Sequence, residues 1–177
     1  MNLSLPLPHP TVLLTMLALA APAWAERADR DKPINLEADR ITIDDAKKVQ
    51  VLQGNVHLVQ GTLVIRAEKL VVTQNAAGFQ KGVAHAGGGR LASFRQKREG
   101  KDEFVEGEAE RIEYDATTEK VEFFDKVHLK SGLDEVEGQY ASYDGKTENY
   151  VVTGNGSKGG QPERVRAVIQ PKPRDQQ

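Results

Sequence analysis

The chain of 177 residues contains no cysteine. That absence excludes a disulfide scaffold, a thiol nucleophile, a cysteine zinc site and a lipid-modified N-terminal cysteine. Aromatic residues are scarce, with one Trp, four Tyr and five Phe, and the Trp falls at position 24. Neither charge dominates: 24 Lys and Arg stand against 26 Asp and Glu, a formal net charge of -2. A nucleic-acid binder is favoured by a basic chain, so the balance gives no argument for that partner. The length suits one ordinary domain.

Charge is also missing locally, since residues 1–25 hold no Asp, Glu, Lys or Arg. Within them Val12–Ala21 (VLLTMLALAA) is apolar but for Thr15, and Ala23-Trp24-Ala25 puts small residues at the two positions a signal peptidase reads. Ten residues fall short of the roughly 20 that a helix needs to cross a bilayer. The expectation is a secretory leader, residues 1–25, cut between Ala25 and Glu26. A leader so cut, with no cysteine to carry a lipid, implies a soluble periplasmic or secreted protein. The expected domain spans 26–171, with a disordered tail over 172–177. Beyond residue 25 roughly a third of the residues are apolar, which is lean for a globular chain.

What remains reads as strand. Short alternating runs such as Ile34-Asn35-Leu36-Glu37-Ala38 and Leu63-Val64-Ile65-Arg66-Ala67 are separated by Gly, Asn and Asp. No segment shows the 3.6-residue spacing of a helix. A box then repeats: Ala38-Asp39-Arg40-Ile41-Thr42-Ile43-Asp44, Ala67-Glu68-Lys69-Leu70-Val71-Val72-Thr73 and Ala109-Glu110-Arg111-Ile112-Glu113-Tyr114-Asp115, with a fainter copy over Gly138–Asp144. Each is followed by a second element: Gly54-Asn55-Val56-His57-Leu58, Gly82–Ala86, Asp125-Lys126-Val127-His128-Leu129 and Gly154-Asn155-Gly156.

The parity inside the box is informative. Counted from the Ala, apolar residues fall at -4, -2 and 0, then at +3 and +5. An odd step of three would turn the later residues outward unless an extra residue intervenes. A bulge or corner at Asp39-Arg40, Glu68-Lys69 and Glu110-Arg111 restores the inward face and bends the strand. Bent strands of this kind let two sheets share one interior, as in sandwiches and jelly rolls. The starts of the boxes differ by 29, 42 and 29 residues, so a spiral of unequal hairpins fits better than a fixed-period β-helix. Arg95–Glu103 is expected as an exposed hairpin tip.

The sequence offers no enzyme. His57, His85 and His128 occupy matching places, but their apolar neighbours have the opposite parity, so a repeated outward position outweighs a metal site. Acidic residues in the boxes have Lys or Arg beside them, which favours a solvated strand face over a carboxylate pair. Gly87-Gly88-Gly89-Arg90 precedes strand-like Leu91-Ala92-Ser93-Phe94 rather than the helix that a phosphate loop needs, so it is a turn. The cations Arg95, Lys97, Arg98 and Lys101 are diluted by Glu99, Asp102 and Glu103. No catalytic residue, metal ligand or cofactor is expected.

Several stretches resemble the OstA-like domain family. Pro33–Asp39 is similar to its opening strand, and Gly54–Leu63 running into Ala67–Thr73 to its most recognisable stretch. Ala92-Ser93-Phe94 and Val105-Glu106-Gly107 through Tyr114 fit its later strands. The resemblance covers roughly residues 33–171. It implies an all-β fold, a twisted β-jelly roll of repeated antiparallel hairpins, open at both ends with an apolar interior groove. It further implies that the protein binds lipopolysaccharide by its lipid A acyl chains and carries it across the periplasm. The implied partners are an inner-membrane export complex, through its bitopic jelly-roll subunit, an outer-membrane lipopolysaccharide translocon, and further copies stacked head to tail. Nucleic acid is not among them.

Burying a methylene contributes about 0.8 kcal/mol, so one long acyl chain resists water by roughly 10 kcal/mol. A continuous apolar track meets that need. The inward positions that would supply it are Ile34, Leu36, Ile41, Ile43, Val56, Leu58, Leu63, Ile65, Leu70, Val72, Phe94, Ile112, Tyr114, Phe123, Val127 and Leu129. The same residues would equally make an ordinary packed core; the resemblance favours lipid contact for Phe94, Tyr114, Ile34 and Leu36. Docking edges are expected at Ile34, Asn35, Leu36 and Glu37 on the first strand. The last edge is expected either at Val151 and Val152 or at Arg166 and Val168. The competing readings are a secreted structural β-repeat protein without lipid cargo, and an inner-membrane jelly-roll subunit that keeps its leader as a membrane span.

Overall fold

The computed structural model describes residues 29, 32–76, 78–154 and 164–171. The expected leader cut at Ala25 and Glu26, the tail over 172–177 and part of the fourth repeat (155–163) lie outside the described residues.

The described residues form twelve β-strands and no helix, all pairing antiparallel. Four strands are long: β3 (Val49–Gln60), β4 (Leu63–Asn75), β9 (Lys120–Ser131) and β10 (Asp134–Asp144). Each changes neighbours halfway along, and this makes two sheets from one hydrogen-bonded network. In the first sheet β1 (Asn35–Glu37) lies on β3, β4 pairs through Val64–Arg66 with β6 (Ala92–Lys97), and β6 pairs with β7 (Phe104–Ala109). The far half of β9 follows, then β10, then β12 (Arg166–Val168). In the second sheet β2 (Arg40–Asp44) lies on the near half of β3, and Lys69–Asn75 of β4 pairs with β5 (Gly78–His85). The order continues through β8 (Arg111–Asp115), the near half of β9, and β10, ending on β11 (Asn149–Thr153). The two sheets fold over one interior as a twisted β-jelly roll.

The corners fall where the box parity requires them. Gln53 pairs with Lys69 and Val56 with Ala67, so Gly54 and Asn55 together oppose Glu68 alone. The extra residue therefore sits on the partner strand, not on the box strand that the sequence pattern singled out. Gly54 and Asn55 take φ +75° and +48°, and the third corner repeats this with Asp125 and Lys126 at +63° and +53°. Two successive left-handed residues turn the strand sharply, a geometry that glycine adopts freely and Asn or Asp tolerates. The backbone N–H of Asp39 donates to Gly54 O at 3.0 Å, and that of Glu110 to Asp125 O at 2.9 Å.

The free ends of the second sheet are closed by a repeated turn. Asp44, Asp115 and Asp144 each accept a hydrogen bond on Oδ1 from a backbone N–H three residues on, at 3.0 Å. Carboxylates in this position mimic a backbone turn. The expected tip at Arg95–Glu103 is shorter than its sequence range, because β6 runs on to Lys97 and only residues 98–103 turn. Gly87 and Arg90 exchange backbone hydrogen bonds, making Gly87–Arg90 the turn that was expected.

Candidate functional site

The inward faces of both sheets meet in a single apolar interior. Twelve of the sixteen residues expected there are buried in it: Val56, Leu58, Leu63, Ile65, Leu70, Val72, Phe94, Ile112, Tyr114, Phe123, Val127 and Leu129, none more than 4% exposed. Aromatic rings span the gap between sheets. Phe94 of the first sheet stands 5.9 Å from Tyr114 and 6.0 Å, edge-on, from Phe123, both of the second. Phe79 stacks on Tyr114 at 5.8 Å. Such pairs add to the stabilisation from burial alone.

Leu36 of β1 and Ile34, the residue just before that strand, are half-buried and pack against this interior. Ile41 and Ile43 correct the expectation of an enclosed lining. They share the inward face with Leu52 and Gln50, their cross-strand partners, yet are 42% and 60% exposed. The reason is position: among the described residues β2 pairs only with β3, and no strand beyond it covers these side chains.

The set of expected lining residues leaves out others that the structure buries, although Val105 and Ala109 stand at the -4 and 0 places of the third box and share its inward parity. Leu52, Ala84, Ala92, Val105, Ala109, Val121, Ala141 and Tyr143 belong to the same interior. The signal for Ala141 and Tyr143 was present, since they occupy the +3 and +5 places of the faint fourth box.

Both ends of the barrel-like stack carry two edge strands, one per sheet. Among the described residues, β1 and β2 at the first end each pair only with β3, and β11 and β12 at the last each pair only with β10. Both stretches considered for the last edge are strands that border β10: Val151 and Val152 lie on β11, Arg166 and Val168 on β12. Asn35 and Glu37 lie outward on β1, opposite Val59 and His57. Inward-facing at the last end are Val152, opposite buried Ala141, and Tyr150, opposite buried Tyr143; Val151 and Val168 are exposed.

The outer face is polar and paired. Lys81 Nζ lies 2.8 Å from Glu113 Oε2, and Arg95 Nε donates to Glu106 Oε1 at 2.7 Å. The Lys81 hydrogen bond holds the Glu113 carboxyl below its ordinary range, and Glu113 in turn raises Lys81. The three repeat histidines are dispersed: His57 lies 3.9 Å from Glu37, His128 lies 3.7 Å from Glu135, and burial with nearby Lys69 and Arg111 lowers His85. Among the described residues no group of three or more His, Asp or Glu is placed to hold a metal ion.

Clefts of about 730 Å³, bordered by Lys126, His128 and Arg166, and of about 640 Å³, bordered by His57, Arg66 and Arg90, lie on the outer corners. Their linings mix charged side chains with Val127 in the first and Val56 in the second, both buried members of the apolar interior.

Fold and site together define a β-jelly-roll protein with an apolar interior shared by two sheets and, among the described residues, edge strands at both ends. A family model described as LptA/(LptD N-terminal domain) LPS transport protein matches residues 35–149. Over 160 residues the chain is 31% identical to the lipopolysaccharide export system protein LptA of Haemophilus influenzae, spanning 90% of this chain and 89% of that protein. It is 33% identical over 130 residues to the protein of the same description from Escherichia coli K12, covering 73% and 69% of the two chains. The crystal structure of LptH, described as the LptA-homologous periplasmic component of the lipopolysaccharide transport device of Pseudomonas aeruginosa, shares the fold. Its TM-score is 0.71 at 24% identity, covering 81% of this chain and 99% of that one. The chain belongs to the LptA/LptD N-terminal domain family of lipopolysaccharide transport proteins.

Proposed function

We propose that the protein carries lipopolysaccharide across the periplasm, holding the lipid A acyl chains between its two sheets. The observation that carries this reading is the segregation of the chain's few apolar residues into one interior, inside a shell whose outer face is ion-paired. The family and the named relatives support lipopolysaccharide as the cargo. The four edge strands support passage from copy to copy: unpaired backbone groups are docking surfaces for strand addition. Contact between unlike ends does not close on itself, so it builds a head-to-tail bridge. The same edges would receive lipid from the jelly-roll subunit of the inner-membrane export complex and present it to the outer-membrane translocon. A leader cut between Ala25 and Glu26 would deliver the chain to that compartment. The protein has the role of a passive track, with the driving energy supplied elsewhere.

Native mass spectrometry of protein purified without detergent exchange tests the cargo. Lipopolysaccharide bound in stoichiometric amount is expected. A lipid-free spectrum that stays lipid-free after incubation with lipopolysaccharide would overturn the reading in favour of a structural β-repeat protein.

A further inference from the structure

Cargo held between the sheets must first get there, and in this structure the space is occupied. The interior side chains are almost wholly shielded from solvent, and the Phe94, Phe123 and Tyr114 rings fill the gap between the sheets. Close-packed interiors do not admit a chain without movement. Spreading the sheets is resisted at two margins. One is the row of corners, where the long strands pass covalently from sheet to sheet. The other is the opposite margin, where each sheet ends in turns and, among the described residues, nothing covalent crosses.

That opposite margin carries an ionic clasp. Arg98, in the β6–β7 tip of the first sheet, donates from Nη2 to Glu148 Oε2 at 2.7 Å; Glu148 lies in the β10–β11 turn of the second sheet, 50 residues away in sequence. Lys101 of the same tip reaches the same oxygen at 2.6 Å. Glu103 holds Arg98 from behind, accepting from Nη1 at 2.8 Å. The pair is shielded enough to matter, with side-chain exposures of 17% for Arg98 and 25% for Glu148, and partly buried charge-assisted bonds are stronger than exposed ones. It is also unsaturated: Arg98 Nε and Glu148 Oε1 are buried without a hydrogen-bond partner among the described residues. Buried polar atoms left without a partner are uncommon and mark the contact as less than fully satisfied when closed.

We propose that Arg98, Lys101 and Glu148 form a latch across the free margin of the two sheets, and that its opening admits acyl chains sideways into the interior. The proposal rests on the lipid-carrier reading. An open margin lets the polar headgroup stay outside while the acyl chains move in between the sheets, whereas a closed margin would force the headgroup itself past β1 and β2 or β11 and β12 as lipid passes from copy to copy.

Because the chain has no cysteine, the tips can be labelled in D102C/K146C, both at exposed positions. Spin labels there report the separation of the margins directly. A narrow distance distribution is expected in the otherwise unchanged protein, and a longer, broader one in the added variant Glu148→Gln. A short bis-maleimide joining the same two positions is expected to slow uptake of lipopolysaccharide by about tenfold or more, while Glu148→Gln speeds it several-fold, the scale of losing a charge-assisted bond. Circular dichroism and a urea midpoint confirm that each variant is folded. Uptake at an unchanged rate in the cross-linked protein would overturn the latch and leave the carrier reading intact. If the unlinked protein takes up no lipid, the carrier reading fails; an unchanged distance distribution in Glu148→Gln would then overturn the latch by itself.

Discussion

The ring of Phe123 lies directly over Gly107. A β-carbon added at Gly107 would meet Phe123 Cζ at 2.6 Å, with Cε1 closer still. Phe123 belongs to the second sheet and Gly107 to the first, so one large ring crosses the interior and the opposite strand makes room by carrying no side chain. The apolar lining is thus a fitted space, set by a large residue facing a missing one.

Gly107→Ala is therefore expected to destabilise by overpacking, by roughly 1–3 kcal/mol. The backbone at Gly107 does not take a positive φ, so the effect is steric. Adding Phe123→Leu should recover part of the loss. Urea unfolding of the two single variants and the double variant measures it; losses that simply add would contradict a shared space.

Phe94 contacts both Tyr114 and Phe123 across the sheets and is 1% exposed. Phe94→Ala is expected to cost about 3–5 kcal/mol. The inward side chain Ile43, 60% exposed on β2, is expected to behave oppositely. Ile43→Asp should change the urea midpoint little, yet weaken association of copies through the first end. Analytical ultracentrifugation checks it, with unchanged filament length as the contrary result.

Acid should weaken the fold through its outer pairs. Lys81 depresses Glu113, and Arg98 and Lys101 depress Glu148 although burial pushes that carboxyl up. A carboxylate with a depressed folded value contributes fully above its unfolded value, near 4.5, and loses that contribution as pH falls through the folded one. Lys81, raised by Glu113, has the opposite sign: its contribution is complete below 10.5 and is lost as pH rises through its raised value. Urea midpoints followed from pH 7 downward should fall below about pH 4.5. The decline should be shallower in Glu113→Gln; parallel curves would remove the pair from the explanation.

Trp24 is the only tryptophan. Protein exported and cut between Ala25 and Glu26 should show tyrosine emission alone, and its intact mass should begin at Glu26. Tryptophan emission from the exported protein would contradict the cut.

Local parity made most of this architecture legible. The apolar step of three after Ala67 demanded a bulge at Glu68, and that is where Gly54 and Asn55 double up against it. Which strand carries the extra residue was not legible, because parity along one strand does not reveal its partner's register. Nor could the periodicity of Ile41 and Ile43 distinguish an inward residue under cover from one at an open edge; that depends on whether another strand follows β2. The alternative between Val151–Val152 and Arg166–Val168 assumed a single final strand, whereas a strand that changes neighbours halfway gives each sheet its own. Arg98 and Glu148 lie 50 residues apart, and no local pattern links them.

The most direct test is photocrosslinking in cells from a light-activated aromatic residue placed at Phe94 or Tyr114, compared with one at exposed Lys120 on β9. The expected result is a lipopolysaccharide adduct from the two interior positions and none from Lys120. Absence of the adduct from both interior positions, or an equal yield from Lys120, would contradict transport of lipid between the sheets.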